Sequence, residues 1–384
     1  AKKAKKGTHT PTAPQSTLVI RQHGARLLTL LSGCAAGPTP HGPQVPERER
    51  ESGERALRMF VAAGGLQLLV RFICLHSPIE EHALFAPALA CINALFHIKT
   101  GVPTNDFCRL LASNGVPAHL ASALLTSVLS LGEAPASFTE AKEKPKAVPG
   151  GDDDSDSDWG ASDAEAGGER EAEAQGMWAD EVDANDEYLR VRDVILSLCT
   201  LLSVFARADV VVRLDLSDPA CMAPLLKALS VLTERPDMKT ALLVLLSLVK
   251  NLAMDPECRK RLMGDRERER EEGAKTGPSI VAVLVPLLAF ESSVRSPALS
   301  ALYNICRLDR HSQEQAVEAG IVPLLHTICT SNDVLRQFAI PLVLNLTRAS
   351  NKTRDALWRN NGVRLVLSFL ALPIWTCAAL EALS

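Results

Sequence analysis

The stretch from Val294 to Leu370 contains one helical unit twice. The first copy, Val294–Ile328, reads VRSPALSALYNICRLDRHSQEQAVEAGIVPLLHTI, and the second, Val334–Leu370, reads VLRQFAIPLVLNLTRASNKTRDALWRNNGVRLVLSFL. Asn304 of the first copy recurs as Asn345 of the second, 41 positions later. The apolar residues of both copies follow helical spacing and show no strand-like alternation. The stretch therefore provides a repeat length that can be followed along the rest of the chain.

Two further positions recur between the copies. Arg307 returns as Arg348, and Gly320 is matched with Gly362. A period of about 40–47 residues with helical spacing is typical of HEAT and armadillo arrays. The sequence therefore predicts an all-α fold, an armadillo/HEAT-like right-handed α-solenoid that is interrupted by a disordered acidic loop.

The same unit can be traced towards the N-terminus. Each unit predicts a short first helix that ends near a turn, a second helix and a long third helix. The third helices carry an asparagine at one equivalent place, Asn93, Asn251, Asn304 and Asn345, and Val204 replaces it once. A single unit cannot cover its own apolar faces, whereas stacked units bury a continuous core, so about six stacked units are expected.

Composition divides the chain into ordered and disordered segments. Proline-rich and charged stretches cannot bury enough apolar surface to offset the entropy of ordering. In 151–187, for example, fifteen Asp and Glu residues stand against one Arg. The predicted organisation is a disordered basic and Pro-rich tail (1–15), a helical segment (16–34), a linker (35–55), N-terminal armadillo repeats (56–131), a disordered acidic loop (132–187) and C-terminal armadillo repeats truncated at the end (188–384).

The overall composition excludes several classes of protein. The 384 residues are 47% hydrophobic but only 4% aromatic, and the net charge is −4, with no basic surface of the kind that binds nucleic acid. The ten cysteines form no CxxC pair, so neither a metal site nor a disulfide framework is expected. The N-terminus lacks the apolar core of a secretory signal, and the longest apolar run, Ile280–Phe290, is too short to span a bilayer. Reduced thiols in an intracellular protein are expected.

The asparagines and arginines of the third helices are the candidate protein-binding residues. An Asn side chain offers both a donor and an acceptor to an extended peptide, and an Arg three positions later lies on the same helical face. We call the set the Asn/Arg ladder and expect it on the concave side, where an acidic or phosphorylated peptide would suit it. Alternatively, these asparagines bond the neighbouring repeat and the arginines are simply solvated. The ladder comprises Asn251, Asn304, Arg307, Asn345 and Arg348.

Motifs of catalysis are missing from the sequence. It contains no Gly-rich phosphate loop, no VAIK, HRD or DFG motif of a kinase, and no GxSxG or HExxH. No catalytic, cofactor-binding or metal-binding residue is therefore proposed. Ser155, Ser157 and Ser162 lie among Asp and Glu residues, which makes them candidate phosphorylation sites for kinases that recognise acidic flanks.

Four segments together resemble one family. They are NDFCRLLASNG (105–115), LLSVFARAD (201–209), ALYNICRLDRHSQEQAVEAGIVPLL (301–325) and LRQFAIPLVLNLTRASNKTRDALWRNNGV (335–363). They are similar to the armadillo-type C-terminal region of the fungal septation-initiation serine/threonine kinases and the related plant mitogen-activated kinase kinase kinase epsilon. In that family the kinase domain lies upstream of this region, so ATP and Mg would belong to the whole protein only if such a domain exists.

The resemblance implies a role in cytokinesis and septation. It implies protein partners, namely a small Ras-like GTPase and spindle-pole components, and a cytoplasmic location that includes the spindle pole body and the division site. It leaves open whether the whole protein is an enzyme. An alternative is a stand-alone armadillo scaffold or adaptor without a kinase domain. Nuclear transport is a third possibility, but its receptors carry a Trp four residues before the Asn, where this chain has Ser300 and Pro341.

Overall fold

The computed structural model describes residues 47–75, 77–79, 82–97, 104–132, 168–263, 279–331 and 333–384. Within these ranges the regular structure is entirely helical. The α-helices are α1 Glu47–Ala62, α2 Gly65–Leu75, α3 His82–His97, α4 Thr104–Ser113, α5 Val116–Ser130, α6 Gly168–Phe205, α7 Val210–Leu216, α8 Pro219–Thr233, α9 Lys239–Met254, α10 Pro256–Leu262, α11 Ile280–Leu284, α12 Ser292–Cys306, α13 Arg310–Glu318, α14 Ile321–Thr330, α15 Arg336–Ala349, α16 Asn351–Arg359, α17 Gly362–Phe369 and α18 Thr376–Leu383, and short 3₁₀ helices lie at Pro236–Met238 and Pro286–Ala289.

Helices of the same rank stack on one another along the chain. The third helices α3, α6, α9, α12, α15 and α18 contact each other in that order. The second helices form a parallel stack, in which α2 contacts α5, α5 contacts α8, and α8 contacts α11. The first helix α4 contacts α7, and α7 contacts α10. Layers that repeat in register along one direction define an all-α solenoid of armadillo-like units, as the period predicted.

One apolar core runs along this array. It includes Phe85 of α3, Phe205 of α6 and Phe369 of α17, all of which are fully buried. The rings of Phe96 and Phe205 meet edge to face across the first two units, with centroids 6.2 Å apart. Aromatic contacts of this kind add about 0.5–1.5 kcal/mol beyond the area that they bury. Phe96 and Phe205 therefore lie where the first unit joins the second.

The turn between first and second helices uses the left-handed region of backbone space. The residue at the turn has φ of 82° at Gly64, 73° at Gly115 and 84° at Gly320. In the last unit this residue is Asn361, with φ of 56°, and not Gly362. The match of Gly320 with Gly362 was therefore wrong by one position, and the 41-residue period in fact points to 361. Asparagine tolerates this conformation better than other residues with a side chain.

Acidic and hydroxyl side chains start the first helices. Asp209 accepts a hydrogen bond from the backbone N–H of Val212 at 3.1 Å, and Asp255 accepts from that of Glu257 at 3.0 Å. Ser350 begins α16 with a capping box that it shares with Thr353. Each cap satisfies donors that a helix N-terminus leaves free. Because the cap follows directly on a third helix, it also sets where the chain turns into the next unit.

Arginines of the first helices reach the caps of the following unit. Arg109 of α4 is paired with Asp209, and Arg213 of α7 donates to Asp255 with 3.2 Å between Nη2 and Oδ2. Arg109 and Arg213 therefore hold equivalent positions in successive units. Desolvation alone would raise the pKa of Asp209, but the N–H of Val212 and the Arg109 guanidinium outweigh it and hold the pKa below its usual value. These pairs hold adjacent first helices in register.

Two helices begin inside segments that the sequence predicted to be unstructured. Helix α1 starts within the predicted linker (35–55), and α6 starts within the predicted acidic loop (132–187). Both segments contain many Glu, Arg, Ala and Gln residues, which are strong helix formers, and this propensity outweighs the net charge on which the prediction of disorder was based. Residues 1–46 and 133–167 lie outside the described residues, as does the charged stretch 264–278.

A polar cluster joins the two sides of the interrupted second unit. Arg235 donates to the backbone oxygens of Leu131, at 3.2 Å, and Gly132, at 2.7 Å, where α5 ends. Arg235 also pairs with Asp237 at 3.3 Å, and Asp237 accepts a hydrogen bond from the hydroxyl of Tyr188 in α6. We call Tyr188, Arg235 and Asp237 the junction cluster. It holds the end of α5 and the packed part of α6 against the third unit.

Candidate functional site

The Asn/Arg ladder lies on one face of the third helices. On α9, Ser247 and Asn251 are half-buried and lie between fully buried leucines. On α12, Asn304 is half-buried and Arg307, at the C-terminal end of the helix, is exposed. The spacing of three and four residues places these polar side chains on a single stripe beside the apolar one.

The stacking of third helices brings the three asparagines into adjacent rows. Helix α9 contacts α12, and α12 contacts α15, so Asn251, Asn304 and Asn345 occupy equivalent places on successive helices. Their side-chain amides take part in no hydrogen bond within the described part of the chain. An amide carries two donor hydrogens and an acceptor oxygen. The stripe therefore presents hydrogen-bonding groups that the neighbouring repeats leave unused.

First helices hold the C-terminal ends of the third helices in place. Arg259 of α10 donates to the backbone oxygen of Asn304 at 3.1 Å, and Gln313 of α13 donates to that of Cys306 at 2.6 Å. In the next unit the hydroxyl of Thr353 donates to the backbone oxygen of Leu346 at 2.7 Å. These bonds satisfy carbonyls that a helix end leaves open. The backbone that carries the asparagines is therefore fixed by contacts that do not use their side chains.

The two arginines of the ladder differ in their surroundings. Arg307 is exposed and makes no ion pair with any described residue. Arg348, with 51% of its side chain exposed, is paired with Glu381 of α18. An exposed pair of this kind contributes only about 0–1 kcal/mol, so both guanidinium groups remain available to an acidic ligand.

Apolar side chains alternate with these cations at the ends of the third helices. Met254, three residues after Asn251, is 62% exposed, and Leu308, beside Arg307, is 81% exposed. Arg207 of the second unit is also exposed and precedes the cap residue Asp209 by two positions. This edge therefore combines positive charge with exposed apolar surface. That combination is complementary to an acidic peptide that also carries apolar residues.

Sequence reasoning missed a basic depression beside Arg348. It lies where α13, the end of α15 and the start of α16 meet, and we call it the basic depression. Its lining includes Arg310, Glu314, Arg348, Ser350, Lys352 and Arg354. One signal was available, since Arg354 follows its cap by four positions just as Arg213 and Arg259 do. The other cations come from separate helices and have no shared pattern.

Other candidate features either lie outside the described residues or form no cluster. Ser155, Ser157 and Ser162 are outside the described ranges. No group of three or more His, Cys, Asp or Glu residues in those ranges could hold a metal ion. No helix in the described part of the chain combines the length and apolar character needed to cross a membrane. Burial raises the pKa of the Cys91 thiol to about 12, so this group stays protonated at neutral pH.

Comparison with solved structures finds designed armadillo repeat proteins. One aligns with 93% of this chain and 100% of its own, with a TM-score of 0.43 and 13% identity. A second, in complex with the peptide (KR)4, also aligns with 93% of this chain, with a TM-score of 0.43 and 14% identity. The fold assignment above rests on the order and contacts of the helices.

Sequence comparison finds curated relatives but no matching model of a protein family. Cytokinesis protein sepH of Emericella nidulans is 26% identical over 85% of this chain. MAP3K epsilon protein kinase 1 of Arabidopsis thaliana is 30% identical over 50% of it, and cell division control protein 7 of Schizosaccharomyces pombe is 29% identical over 49%. The chain spans 19% of the sepH protein, 13% of the Arabidopsis protein and 16% of the yeast protein. It is thus homologous, at modest identity, to one part of these larger proteins.

Proposed function

We propose that this chain is the non-catalytic interaction and targeting module of a septation-type serine/threonine protein kinase that acts in cytokinesis. The observation that carries the proposal is the row of unused amides of Asn251, Asn304 and Asn345 on successive stacked helices. A segment of a partner protein would lie along the Asn/Arg ladder, where the amides bond its backbone and Arg307 and Arg348 attract its acidic side chains. The module itself supplies no chemistry.

The partners and location of the whole protein are part of the same proposal. We assign the module a small Ras-like GTPase and spindle-pole components as partners, and the spindle pole body and division site as its places of action. The names of the relatives support a role in cell division and a link to a protein kinase, since one is a cytokinesis protein, one a cell division control protein and one a protein kinase. ATP and Mg would be bound by a kinase domain elsewhere in the whole protein.

The test is a binding measurement with an asparagine pair removed. We expect a purified Ras-like GTPase of the septation pathway to bind the chain, as measured by calorimetry. The double variant Asn304→Ala/Asn345→Ala should weaken binding about tenfold, because two hydrogen bonds of about 0.5–1.5 kcal/mol each are lost. Asn105→Ala is the matched control, since Asn105 is an exposed asparagine of the first helix α4 and should leave affinity unchanged.

Two results would change the proposal in different ways. Equal binding of the GTPase to the wild-type chain and the double variant would remove the ladder as the contact surface. A transcript that encodes this chain without any kinase domain would exclude the kinase assignment, and a stand-alone armadillo scaffold would then be the function.

A further inference from the structure

The basic depression concentrates positive charge at the junction of the last two units. Four cationic side chains line it, Arg310 of α13, Arg348 of α15, and Lys352 and Arg354 of α16, together with the carboxylate of Glu314. The carboxylates of Glu381 and Glu318, which pair with Arg348 and Lys352, lie outside the lining. The hydroxyl-bearing Ser350 and the amide of Asn351 complete the lining. The cations come from three helices that are held together by the packing of the array, so their convergence does not depend on a loop.

The ion pairs and hydrogen bonds that these cations form within the protein can be exchanged for bonds to a phosphate. Arg310 pairs with Glu314 at 3.1 Å, Lys352 pairs with Glu318, and Arg354 donates to the side chain of Asn351. All three cations are exposed, and exposed pairs of this kind contribute little to stability. A phosphate dianion can accept hydrogen bonds from several guanidinium and ammonium groups at once, which a single glutamate cannot match.

Two of the cations lie where their own helix disfavours them. Arg310 directly follows the cap residue Asp309 of α13, whereas α16 is capped by Ser350, has no acidic residue in its first turn and carries Lys352 and Arg354 there. A cation near the positive end of a helix is electrostatically unfavourable. A hydrogen bond from Ser350, and then the Arg310 guanidinium, hold the pKa of Glu314 below its usual value, in keeping with a positive local field. Placement against local preference is typical of functional positions.

We propose that the basic depression binds the phosphate of a phosphoserine or phosphothreonine in a partner segment whose backbone lies on Asn345. The inference rests on the proposed function and extends it by naming the chemistry of the ligand. Arg348 connects the two parts, because it belongs to the Asn/Arg ladder and also lines the depression, one turn along α15 from Asn345. This continuity favours a peptide over a free phosphate or a lipid headgroup.

The experiment uses the full chain and an immobilised library of degenerate peptides in phosphorylated and unphosphorylated forms. Phosphoserine and phosphothreonine peptides should be enriched over their unmodified counterparts. For the best peptide, fluorescence anisotropy should show binding weakened about five- to tenfold by Lys352→Ala and by Arg354→Ala. Arg359→Ala is the control, since Arg359 is exposed on the same helix, does not line the depression and should change affinity less than about twofold.

Each alternative outcome has its own meaning. No enrichment of phosphorylated peptides, or equal loss of affinity in Arg359→Ala, overturns the phosphate site. If Asn345→Ala weakens peptide binding while Lys352→Ala and Arg354→Ala do not, the Asn/Arg ladder is supported as the binding surface and the phosphate site is excluded. Binding to phosphatidylcholine vesicles that contain a phosphoinositide, when lost in Lys352→Ala and unaccompanied by any phosphopeptide preference, would identify a membrane site instead.

Discussion

Glycine is required for two different reasons in the turns between first and second helices. Gly320 has φ of 84°, and a Cβ there would meet no atom within 4 Å. Glycine is required at position 320 because of its backbone conformation, since residues with a side chain disfavour the left-handed region. Gly362 has an ordinary backbone, but a Cβ would lie 2.7 Å from the backbone oxygen of Leu357. Glycine is required at position 362 for a steric reason, because a Cβ would clash with backbone atoms, which cannot rotate away as a side chain could.

This difference predicts the effects of alanine at each turn. Gly320→Ala should lower the free energy of unfolding by about 1–2 kcal/mol, the cost of a left-handed side chain. Gly362→Ala should cost about 1–3 kcal/mol or more, because the backbone must shift to relieve the overlap. Asn361→Gly is the control. It should leave the free energy of unfolding within about 0.3 kcal/mol of the wild-type value, or increase it. Urea unfolding would measure all three, and a neutral Gly362→Ala would contradict the steric account.

At the scale of helices, the junction cluster explains how one unit survives interruption. The second helix α5 and the third helix α6 of that unit are separated by residues 133–167. Arg235 donates a hydrogen bond to the end of α5, and Asp237 accepts one from Tyr188 of α6. Two residues of the third unit therefore hold together the two parts of the second unit. Burial would raise the pKa of Asp237, but hydrogen bonds from Tyr188 and Arg235 outweigh it and hold the pKa below its usual value.

The lowered pKa of Asp237 predicts a defined dependence of stability on pH. The stabilisation is fully present above the unfolded pKa of about 3.9, and it is lost as pH falls through the lower folded pKa. Asp237→Asn should therefore lower stability at pH 7 by about 1–3 kcal/mol, and its deficit should shrink below about pH 4. Asp215→Asn, at an exposed carboxylate, should show neither effect. Thermal unfolding across pH would test this, and a deficit independent of pH would exclude the ionic role.

The elements differ in how far the sequence could predict them. The helix order followed from the period, because Asn304 and Asn345 are unusual residues inside apolar helices and can be matched by eye. The start of α6 could not be predicted from charge, since helix propensity and like-charge repulsion act in opposite directions there. The basic depression could not be predicted either. Arg310 and Arg354 resemble ordinary solvated cations until the packing of α13 on α16 brings them together.

At the scale of the whole molecule, each unit is stabilised chiefly by its two neighbours. Within the described residues, α9 packs against both α6 and α12, whereas α18 packs against α15. Stability in such an array is close to a sum of unit and interface contributions. When this 384-residue chain is studied by itself, the units in its middle should therefore open least often.

Native-state hydrogen exchange should reveal this gradient. For this 384-residue chain studied by itself we expect the slowest amides in α9 and α12 and faster exchange in α18, because α18 has fewer neighbouring helices in it. Leu245→Ala removes a buried side chain of α9 at a cost of about 2–5 kcal/mol. It should speed exchange in α6 and α12 while leaving α18 nearly unchanged. Uniform acceleration along the chain would instead indicate a single cooperative unit.

The junction cluster has a consequence for how this protein can vary and be engineered. Because Arg235 and Asp237 fix both flanks of the interruption, the solenoid does not depend on how many residues connect them. Doubling a flexible connection costs only about 0.6 kcal/mol of closure entropy. The position is thus permissive for insertion, and evolution could lengthen or replace the connecting segment at little thermodynamic expense. A reporter or regulatory domain could be grafted between residues 133 and 167 without disturbing the face on which we propose that a partner binds.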